Sequence, residues 1–362
     1  MMPKTRVLLL CGGKSAEHEV SVISARSIYS AIDRDKYETI PVGITRAGEW
    51  VVSEPFSAIL EQKEITSEGT ILVQWLFGKN MLVQDDGRSL SKGAFDIVFP
   101  VLHGPQGEDG CMQGLLELRG VPYVGAGVAA SAVGMDKDLA RSVFASKGLR
   151  QTRYLTLKKH RWLASRDEVL SEVEQSLAYP LFVKPANLGS SIGISKASTR
   201  AALIDAIDKA AQYDVKILVE ESVEQARELE CAVIGNDSAR ASVIGEIVPG
   251  AEFYDYTTKY LDDRSQLIVP ADLPKDKARE IQDMSLAAFH GIDGAGLSRV
   301  DFLMSPDGEI FLNEINTMPG FTPISMYPRL WEASGLDYAD LIDQLIGLGL
   351  ERHAERALHA LR

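Results

Sequence analysis

Residues 311–328, FLNEINTMPGFTPISMYP, decide the fold of the C-terminal half of the chain. The stretch begins as a buried strand and carries a carboxylate, Glu314, and a carboxamide, Asn316, two residues apart. Side chains at positions i and i+2 of a strand point to the same face, so both groups face one cavity. Residues 317–320, which include a proline and a glycine, end the strand and leave those oxygens at its C-terminal end.

The segment LSRVDFL, residues 297–303, repeats this spacing with Arg299 and Asp301. Two neighbouring strands thus offer one cation and three hard oxygen ligands, from Asp301, Glu314 and Asn316. Mg²⁺ takes few protein carboxylates and keeps water and phosphate oxygens as its other ligands, so the set predicts a Mg²⁺ site shared with phosphate. The competing interpretation is a surface strand end with scattered polar residues.

Length and composition limit the classes of protein to consider. A chain of 362 residues is too long for one ordinary core, so two or three domains are expected. The net charge of −13 argues against nucleic acid or an anionic membrane surface as the main partner. Three widely spaced cysteines form neither a disulfide framework nor a zinc site. No segment is typical of a membrane span or a signal peptide, so a cytoplasmic location is expected.

The N-terminal region has the pattern of a Rossmann-like βα unit. Residues 6–11 form an apolar run that predicts a buried parallel strand, a glycine turn follows, and Ser15 is expected to cap a helix. The turn resembles the end of a P-loop, but Leu8 stands where the first glycine of that motif is needed. Residues 52–93 are interpreted as a surface excursion that contains hairpins.

A second chemical signal is the segment PLFVKPANLGSSIGISK, residues 180–196. Lys184 ends an apolar strand, which favours burial beside a fixed anionic partner. The small-residue loop that follows, residues 186–191, is called the glycine loop below. It offers backbone N–H groups and the hydroxyls of Ser190 and Ser191, and such a loop can fold over phosphates. Lys137 is a further candidate for a phosphate contact. The alternative is a plain hairpin turn with a solvated lysine.

Two other stretches suit a nucleotide site. Glu220, Glu221 and Glu228 follow a buried strand, where an acid can hold a ribose hydroxyl, although a solvated acidic rim is a serious alternative. The loop FYDYTTKY, residues 253–260, is polar and aromatic and has the character of a lid. In it, Lys259 could meet a γ-phosphate and Tyr260 could close the site.

Seven segments, in this order along the chain, closely resemble the D-alanine–D-alanine ligase family of the ATP-grasp superfamily. They are GGKSAEHEVS (12–21), HGPQGEDG (103–110), MDK (135–137), FVKPANLGSSIGISK (182–196), FYDYTTKY (253–260), SRVDF (298–302) and NEINTMPGFTPISMYP (313–328). The resemblance runs from the first strand to about residue 345, which is nearly the whole chain.

The resemblance implies a mixed α/β and α+β fold of three domains in an ATP-grasp architecture. These are a Rossmann-like N-terminal domain (1–138), a small central domain (139–221) and a C-terminal domain with the metal and acceptor site (222–362). It implies a homodimer that uses ATP and two Mg²⁺ ions, for which Mn²⁺ can substitute. The implied activity joins two D-alanines through an acyl phosphate for peptidoglycan precursor synthesis. The nearest alternative is a D-alanine–D-lactate or other ATP-grasp ligase.

The resemblance also implies a role for each candidate residue. The Mg²⁺ ligands are expected to be Asp301, Glu314 and Asn316, and the phosphate contacts Lys137, Lys184 and Lys259. The first substrate is expected to meet Glu17, Ser190, Tyr260 and His103, and the ribose Glu228. The oxyanion is expected at Arg299 and the Gly320 N–H, and the second substrate's carboxylate at Ser325 and Met326, where a helix begins.

The chain departs from the family pattern at one point, and two other classes of protein are alternative interpretations of its sequence. The chain carries one extra residue before Glu228, so either Glu220 or Glu221 could lie beside adenine. A nicotinamide oxidoreductase would rest on the glycines of residues 125–127, but no acidic residue follows at the spacing that a ribose requires. An ATP-binding regulator without chemistry would not need the complete set of oxygen ligands.

Overall fold

The computed structural model describes residues 3–76, 78–248, 266–322 and 324–359. Three β-sheets and their helices make up this part of the chain. The strands are β1 (Thr5–Gly12), β2 (Tyr37–Ile44), β3 (Trp50–Val52), β4 (Ile71–Trp75), β5 (Met81–Gln84), β6 (Ser89–Ala94), β7 (Ile97–Pro100), β8 (Tyr154–Lys158), β9 (Leu181–Pro185), β10 (Ser195–Ala197), β11 (Lys216–Glu221), β12 (Arg227–Gly235), β13 (Arg240–Val248), β14 (Gln266–Ile268), β15 (Gly296–Met304) and β16 (Ile310–Asn316).

The described helices lie between these strands and after β16. They are α1 (His18–Ala31), α2 (Cys111–Arg119), α3 (Val128–Met135), α4 (Lys137–Ser146), α5 (Lys159–Ala164), α6 (Arg166–Ser176), α7 (Arg200–Ala210), α8 (Lys275–Gly291), α9 (Met326–Ala333) and α10 (Tyr338–His359), with a 3₁₀ helix at Phe56–Glu61. Among the helices within the described ranges, none is long and apolar enough to cross a membrane.

The first sheet has the strand order β6-β5-β4-β3-β2-β1-β7, with β1 parallel to both β2 and β7. Residues 7–10 of β1 are fully buried, as expected of a central parallel strand. Gly12 adopts φ +90°, and a Cβ there would lie 2.4 Å from the Ile44 carbonyl oxygen, so the turn requires glycine. The hairpins predicted within residues 52–93 are present, and they extend this sheet at one edge.

The start of α1 differs from the prediction. The helix begins at His18 with Glu17 at its N-cap position, so the predicted cap at Ser15 is wrong. The Ser15 hydroxyl instead accepts a hydrogen bond from the Glu17 N–H at 2.9 Å, in the turn that precedes the helix. This turn leaves the buried Glu17 side chain at the end of the helix that faces the glycine loop.

The second sheet, β10-β9-β11-β8, is antiparallel and has a hydrophobic core of its own. That core includes the fully buried Trp162, whose indole N–H donates to Asp208 Oδ1 at 2.8 Å. Residues from α6 and α7 complete it. The loops that leave β9 and β11 are therefore carried on a separately packed unit.

The third sheet, β14-β13-β12-β15-β16, is antiparallel and packs against α8 on one side. The other side shares a core with α9, α10 and the first sheet, where the rings of Phe99 and Phe321 lie 6.1 Å apart. In this junction a Cβ on Gly296 would lie 3.1 Å from backbone atoms of Gly125. The glycine run that suggested a dinucleotide thus serves close packing between two sheets.

We expect Trp162→Ala to lower the free energy of unfolding by about 3 to 5 kcal/mol, because it leaves a large cavity in the core of the second sheet. The exposed Val215, which immediately precedes β11, provides a matched control: Val215→Ala should change stability by no more than about 0.5 kcal/mol. Urea unfolding followed by circular dichroism measures both. Equal unfolding curves for the two variants would contradict the separate core.

Candidate active site

A cavity of about 690 Å³ opens between the second and third sheets. Its walls combine the loop after β9, the residues that follow β11 and the faces of β12, β15 and β16. The predicted site residues in these walls are Lys137, Lys184, Ser190, Ser191, Glu220, Glu221, Glu228, Asp301 and Glu314. The structure therefore brings Lys137, Lys184, Glu228, Asp301 and Glu314 to one place, whereas Asn316 is not part of this lining and Lys259 lies outside the described residues.

A β-bulge sets the side-chain directions on β16. Asp301 lies opposite Glu314, but the next residue, Phe302, lies opposite Leu312, so Asn313 is an extra residue in the ladder. A bulge of this kind re-aims side chains next to it. Here it allows Asn313 and Glu314, although adjacent in sequence, to line the same cavity. Alternation along the strand did not predict the contribution of Asn313.

The oxygens at this strand end fit a divalent cation. Asp301 and Glu314 pair across β15 and β16, and two residues along the ladder Arg299 pairs with Asn316. Within the described ranges, no three His, Cys, Asp or Glu side chains could hold a metal by themselves. Two carboxylates and one carboxamide suit Mg²⁺, whose remaining ligands are water and phosphate.

Both candidate metal-binding carboxylates have cationic partners. Arg299 donates to Asp301 through Nε and Nη2, each at 2.7 Å from one carboxylate oxygen. Lys137 Nζ lies 3.3 Å from Glu314 Oε2 and donates to the Leu188 carbonyl oxygen at 2.7 Å. Lys137 thus joins β16 to the glycine loop.

Lys184 is buried and has an anionic partner, as predicted from its apolar neighbours. Its ammonium group pairs with Glu220 and donates to Asn313 Oδ1 at 3.1 Å. Arg141 pairs with the second oxygen of Glu220, which also accepts from the Thr152 hydroxyl at 3.1 Å. Burial alone would raise the pKa of Glu220, but Arg141 and Lys184 outweigh it and hold the pKa at about 2.

These contacts concern Glu220 and Glu221, either of which could lie beside adenine according to the sequence. The carboxylate of Glu220 is 2% exposed and is committed to the two cations beside it. The Glu221 carboxylate accepts from the Ala178 N–H at 2.9 Å and lies 3.5 Å from Arg153. Both side chains have protein partners, which agrees with a backbone contact to adenine in this segment.

The described residues that are expected to contact the first substrate, Glu17, Ser190 and His103, lie on three separate segments of the chain. Ser190, in the glycine loop, donates a hydrogen bond to Glu17 at the start of α1. Ser190 and Ser191 both have positive φ values, 50° and 57°, a conformation that non-glycine residues adopt rarely. A smaller cavity of about 280 Å³ is lined by Glu17, Leu188 and Gly189, among others.

His103 lies in the loop between β7 and α2 and connects that loop to the segment that follows β16. Its Nδ1 lies 3.1 Å from the Met318 carbonyl oxygen, which can only accept, so Nδ1 carries the proton. Nε2 then accepts from the Ser24 hydroxyl at 3.2 Å, and Ser24 Oγ accepts from the Phe321 N–H at 3.2 Å. Burial lowers the pKa of His103 despite the nearby Glu17 carboxylate, so the imidazole is neutral.

Glu108 belongs to the site but was not singled out from the sequence. Its Oε1 accepts from the Gly104 N–H at 2.9 Å, and the side chain is buried. Burial, and then the charge of Glu17, raises the pKa of Glu108 well above its ordinary value. Its position in the motif HGPQGEDG was the available signal, because that loop leads directly from β7 to α2.

Gly320, Ser325 and Met326 lie where β16 gives way to α9. Ser325 is the N-cap residue, and its hydroxyl accepts from the Thr322 N–H at 3.0 Å. A Cβ on Gly320 would lie 2.8 Å from Ser325 Oγ, so only glycine lets these two approach closely. The Met326 side chain is buried against Gly245, which leaves its backbone as the part that can meet a ligand.

The predicted lid, with Lys259 and Tyr260, lies outside the described residues, so its roles stay predictions.

The comparisons with known proteins cover almost the whole chain. The family model for the D-ala D-ala ligase N-terminus matches residues 6–126, and that for the C-terminus matches residues 143–347. The chain belongs to the D-alanine–D-alanine ligase family. A D-alanine–D-alanine ligase of Geobacillus kaustophilus is 48% identical over 356 residues, which are 98% of this chain and 96% of that protein.

Two solved structures support the same family. The D-alanine–D-alanine ligase of Coxiella burnetii superposes with a TM-score of 0.86 at 36% identity, over 99% of this chain and 97% of that one. The VanG D-Ala:D-Ser ligase of Enterococcus faecalis gives 0.85 at 35% identity, over 96% and 100%. The predicted ATP-grasp fold and the ligase class are confirmed, and the family implies ATP and a divalent metal.

We expect Glu220→Gln to lower the free energy of unfolding by about 3 to 5 kcal/mol at neutral pH, because it leaves two buried cations without their carboxylate. The pKa of Glu220 is depressed in the folded protein from 4.5 to about 2. Its stabilisation is therefore present above pH 4.5 and is lost as the pH falls towards 2.

Urea unfolding at a series of pH values tests this expectation. The gap between the wild type and Glu220→Gln should narrow as the pH is lowered through that window. Glu221→Gln is the matched control and should cost no more than about 1 kcal/mol, because its ion pair is exposed. A gap that stays constant with pH would contradict the depressed pKa.

Proposed function

We propose that the protein joins two D-alanines to D-alanyl-D-alanine through an acyl phosphate, releases ADP and phosphate, and supplies peptidoglycan synthesis from the cytoplasm. One observation carries the proposal. A single backbone segment leads from the candidate metal ligands Glu314 and Asn316 to the start of α9 at Ser325, and it is bonded to His103 on the way. This segment can join a nucleotide site to two amino-acid sites.

The nucleotide end of the site uses positive charge and backbone donors. In the proposal, Lys137, Lys184 and Lys259 contact the phosphates, Ser191 and the glycine loop cover them, and Glu228 holds the ribose. Two Mg²⁺ ions, or Mn²⁺ in their place, would be held by Asp301, Glu314 and Asn316 and would neutralise the triphosphate when bound. These groups offset the repulsion that an acidic protein exerts on ATP.

The donor end fixes the first D-alanine. We assign Glu17, supported by Ser190 and by Tyr260, to the ammonium group of this substrate, with His103 beside it. The substrate carboxylate then attacks the γ-phosphorus, an O–P bond forms, and ADP leaves with the electrons of the broken bond. The chain's own contribution to this step is orientation and charge stabilisation.

The acceptor end completes the reaction. Ser325 and the Met326 backbone, at the N-terminus of α9, receive the carboxylate of the second D-alanine. Its amine, which has a pKa of roughly 8 as an ammonium, must lose a proton as it attacks the acyl carbon. Arg299 and the Gly320 N–H stabilise the resulting oxyanion, and phosphate leaves as the C–O bond breaks.

Domain boundaries and assembly are part of the same proposal. We place the three domains at residues 1–138, 139–221 and 222–362. The first boundary is supported by the gap between the two family-model matches, which end at residue 126 and resume at residue 143. We further propose a homodimer, which analytical ultracentrifugation would test.

Phosphate release from ATP in the presence of D-alanine, L-alanine, D-lactate or D-serine tests the function. Of these four compounds we expect only D-alanine to cause phosphate release, and mass spectrometry should identify D-alanyl-D-alanine as the product. D-alanine is also supplied together with D-lactate or D-serine. If the mixed product then forms in preference to D-alanyl-D-alanine, the protein is a D-alanine–D-lactate or D-alanine–D-serine ligase instead. Release with none of these acids would contradict a ligase altogether.

We expect Arg299→Ala and Glu314→Ala each to lower turnover by at least ~10², because each removes charge stabilisation inside the site. Arg279, an exposed residue of α8 that lies outside the cavity, provides the control. Arg279→Ala should keep wild-type turnover. A steady-state phosphate-release assay compares the three variants, and normal turnover in Arg299→Ala or Glu314→Ala would remove that residue from its role.

A further inference from the structure

Glu230 is a buried carboxylate in the cavity wall to which no role has been given. It lies on β12 directly opposite Asp301 of β15, so both side chains share one face of the third sheet. Its Oε2 lies 3.1 Å from Arg299 Nε, and the two side chains are 9% and 16% exposed. A carboxylate this well buried beside a phosphate site requires an explanation.

Arg299 lies between two carboxylates. Asp301 accepts from Nε and Nη2 at 2.7 Å each, and Glu230 contacts the same Nε. Asp301 is also the proposed metal ligand. Because both of its oxygens are engaged by the guanidinium, binding a divalent cation there must weaken the pair with Arg299. The Glu230 carboxylate, at ion-pair distance from the same guanidinium, keeps a negative charge beside it in that state.

We propose that Glu230 is a positioning residue that holds Arg299 by its Nε edge when Asp301 binds the metal, an inference that rests on the proposed function. A guanidinium has one N–H at Nε and four at its two Nη atoms. Holding the Nε edge frees the Nη groups of Arg299 to face the oxyanion. The extra carboxylate thereby preserves the orientation of the arginine through the catalytic cycle.

A role for Glu230 as a third metal-binding carboxylate fits the structure less well. In the described part of the chain, Glu230, Asp301 and Glu314 do not form a group that could hold a metal ion. Glu230 lies at ion-pair distance from a cation, Arg299. A metal-binding role also makes a different prediction, which is a large loss of affinity for the metal–nucleotide complex.

The test uses the isosteric Glu230→Gln in wild-type and Arg299→Ala backgrounds. We expect kcat to fall roughly 10- to 100-fold in Glu230→Gln, as for other residues that orient a catalytic group, and to recover in part in Glu230→Asp. Calorimetric binding of Mg²⁺ with ADP should stay within about threefold of the wild type. In the Arg299→Ala background, Glu230→Gln should change kcat by less than about threefold.

Glu246 supplies a matched control from the same sheet. It is buried and accepts two bonds from Arg227, at 2.8 and 2.6 Å, but lies outside the cavity wall. Glu246→Gln should lower the melting temperature as much as Glu230→Gln does, while kcat stays at the wild-type value. Equal losses of kcat in both variants would show that Glu230 has only a structural role.

Three further outcomes distinguish a failure of the role proposed for Glu230 from a failure of the function proposed for the protein. If Arg299→Ala loses turnover and Glu230→Gln does not, the positioning role is wrong and the proposed function stands. If Mg²⁺·ADP affinity falls more than tenfold in Glu230→Gln, the residue serves the metal site instead. If Arg299→Ala itself turns over normally, the oxyanion role of Arg299 fails, and the role of Glu230 fails with it.

Discussion

The register of β16 against β15 is the constraint on which the candidate site depends. The bulge at Asn313 turns two consecutive side chains to the cavity, so Glu314 faces Asp301 while Asn313 reaches Lys184. A regular strand would point one of these two away, because the side-chain period of a strand is two. The bulge thereby connects β16 to Lys184 of the second sheet.

Charge compensation follows from this register. In the structure each carboxylate that is proposed to bind metal has a cation beside it, Arg299 for Asp301 and Lys137 for Glu314. These two pairs give each of the proposed metal-binding carboxylates one cationic partner before a nucleotide binds, within a chain whose net charge is −13. In the proposed function, a divalent metal bound with nucleotide phosphates would take the place of these cations as the partner of the two carboxylates.

Sequence patterns predicted the architecture and most of the site because they follow from local rules. The strand–turn–helix start, the burial of Lys184 and the shared face of Glu314 and Asn316 depend on residues close in sequence. The bulge at Asn313, the inward Met326 side chain and the pairing of Arg141 with Glu220 depend on distant residues. Such tertiary contacts cannot be derived from periodicity alone.

The parallel part of the first sheet brings together Glu17 and His103, two residues that we propose contact the first substrate. Glu17 follows β1 and His103 follows β7, the two strands at whose carboxyl ends the connections diverge. In open α/β sheets a ligand crevice forms at such a point. Because His103 is neutral and bonded to the Met318 carbonyl oxygen, this crevice is fixed relative to the segment that carries Gly320. Hydrogen bonds from His103 to the Met318 carbonyl oxygen and from the Phe321 N–H to Ser24 therefore fix the proposed first-substrate site relative to Gly320, the proposed oxyanion contact.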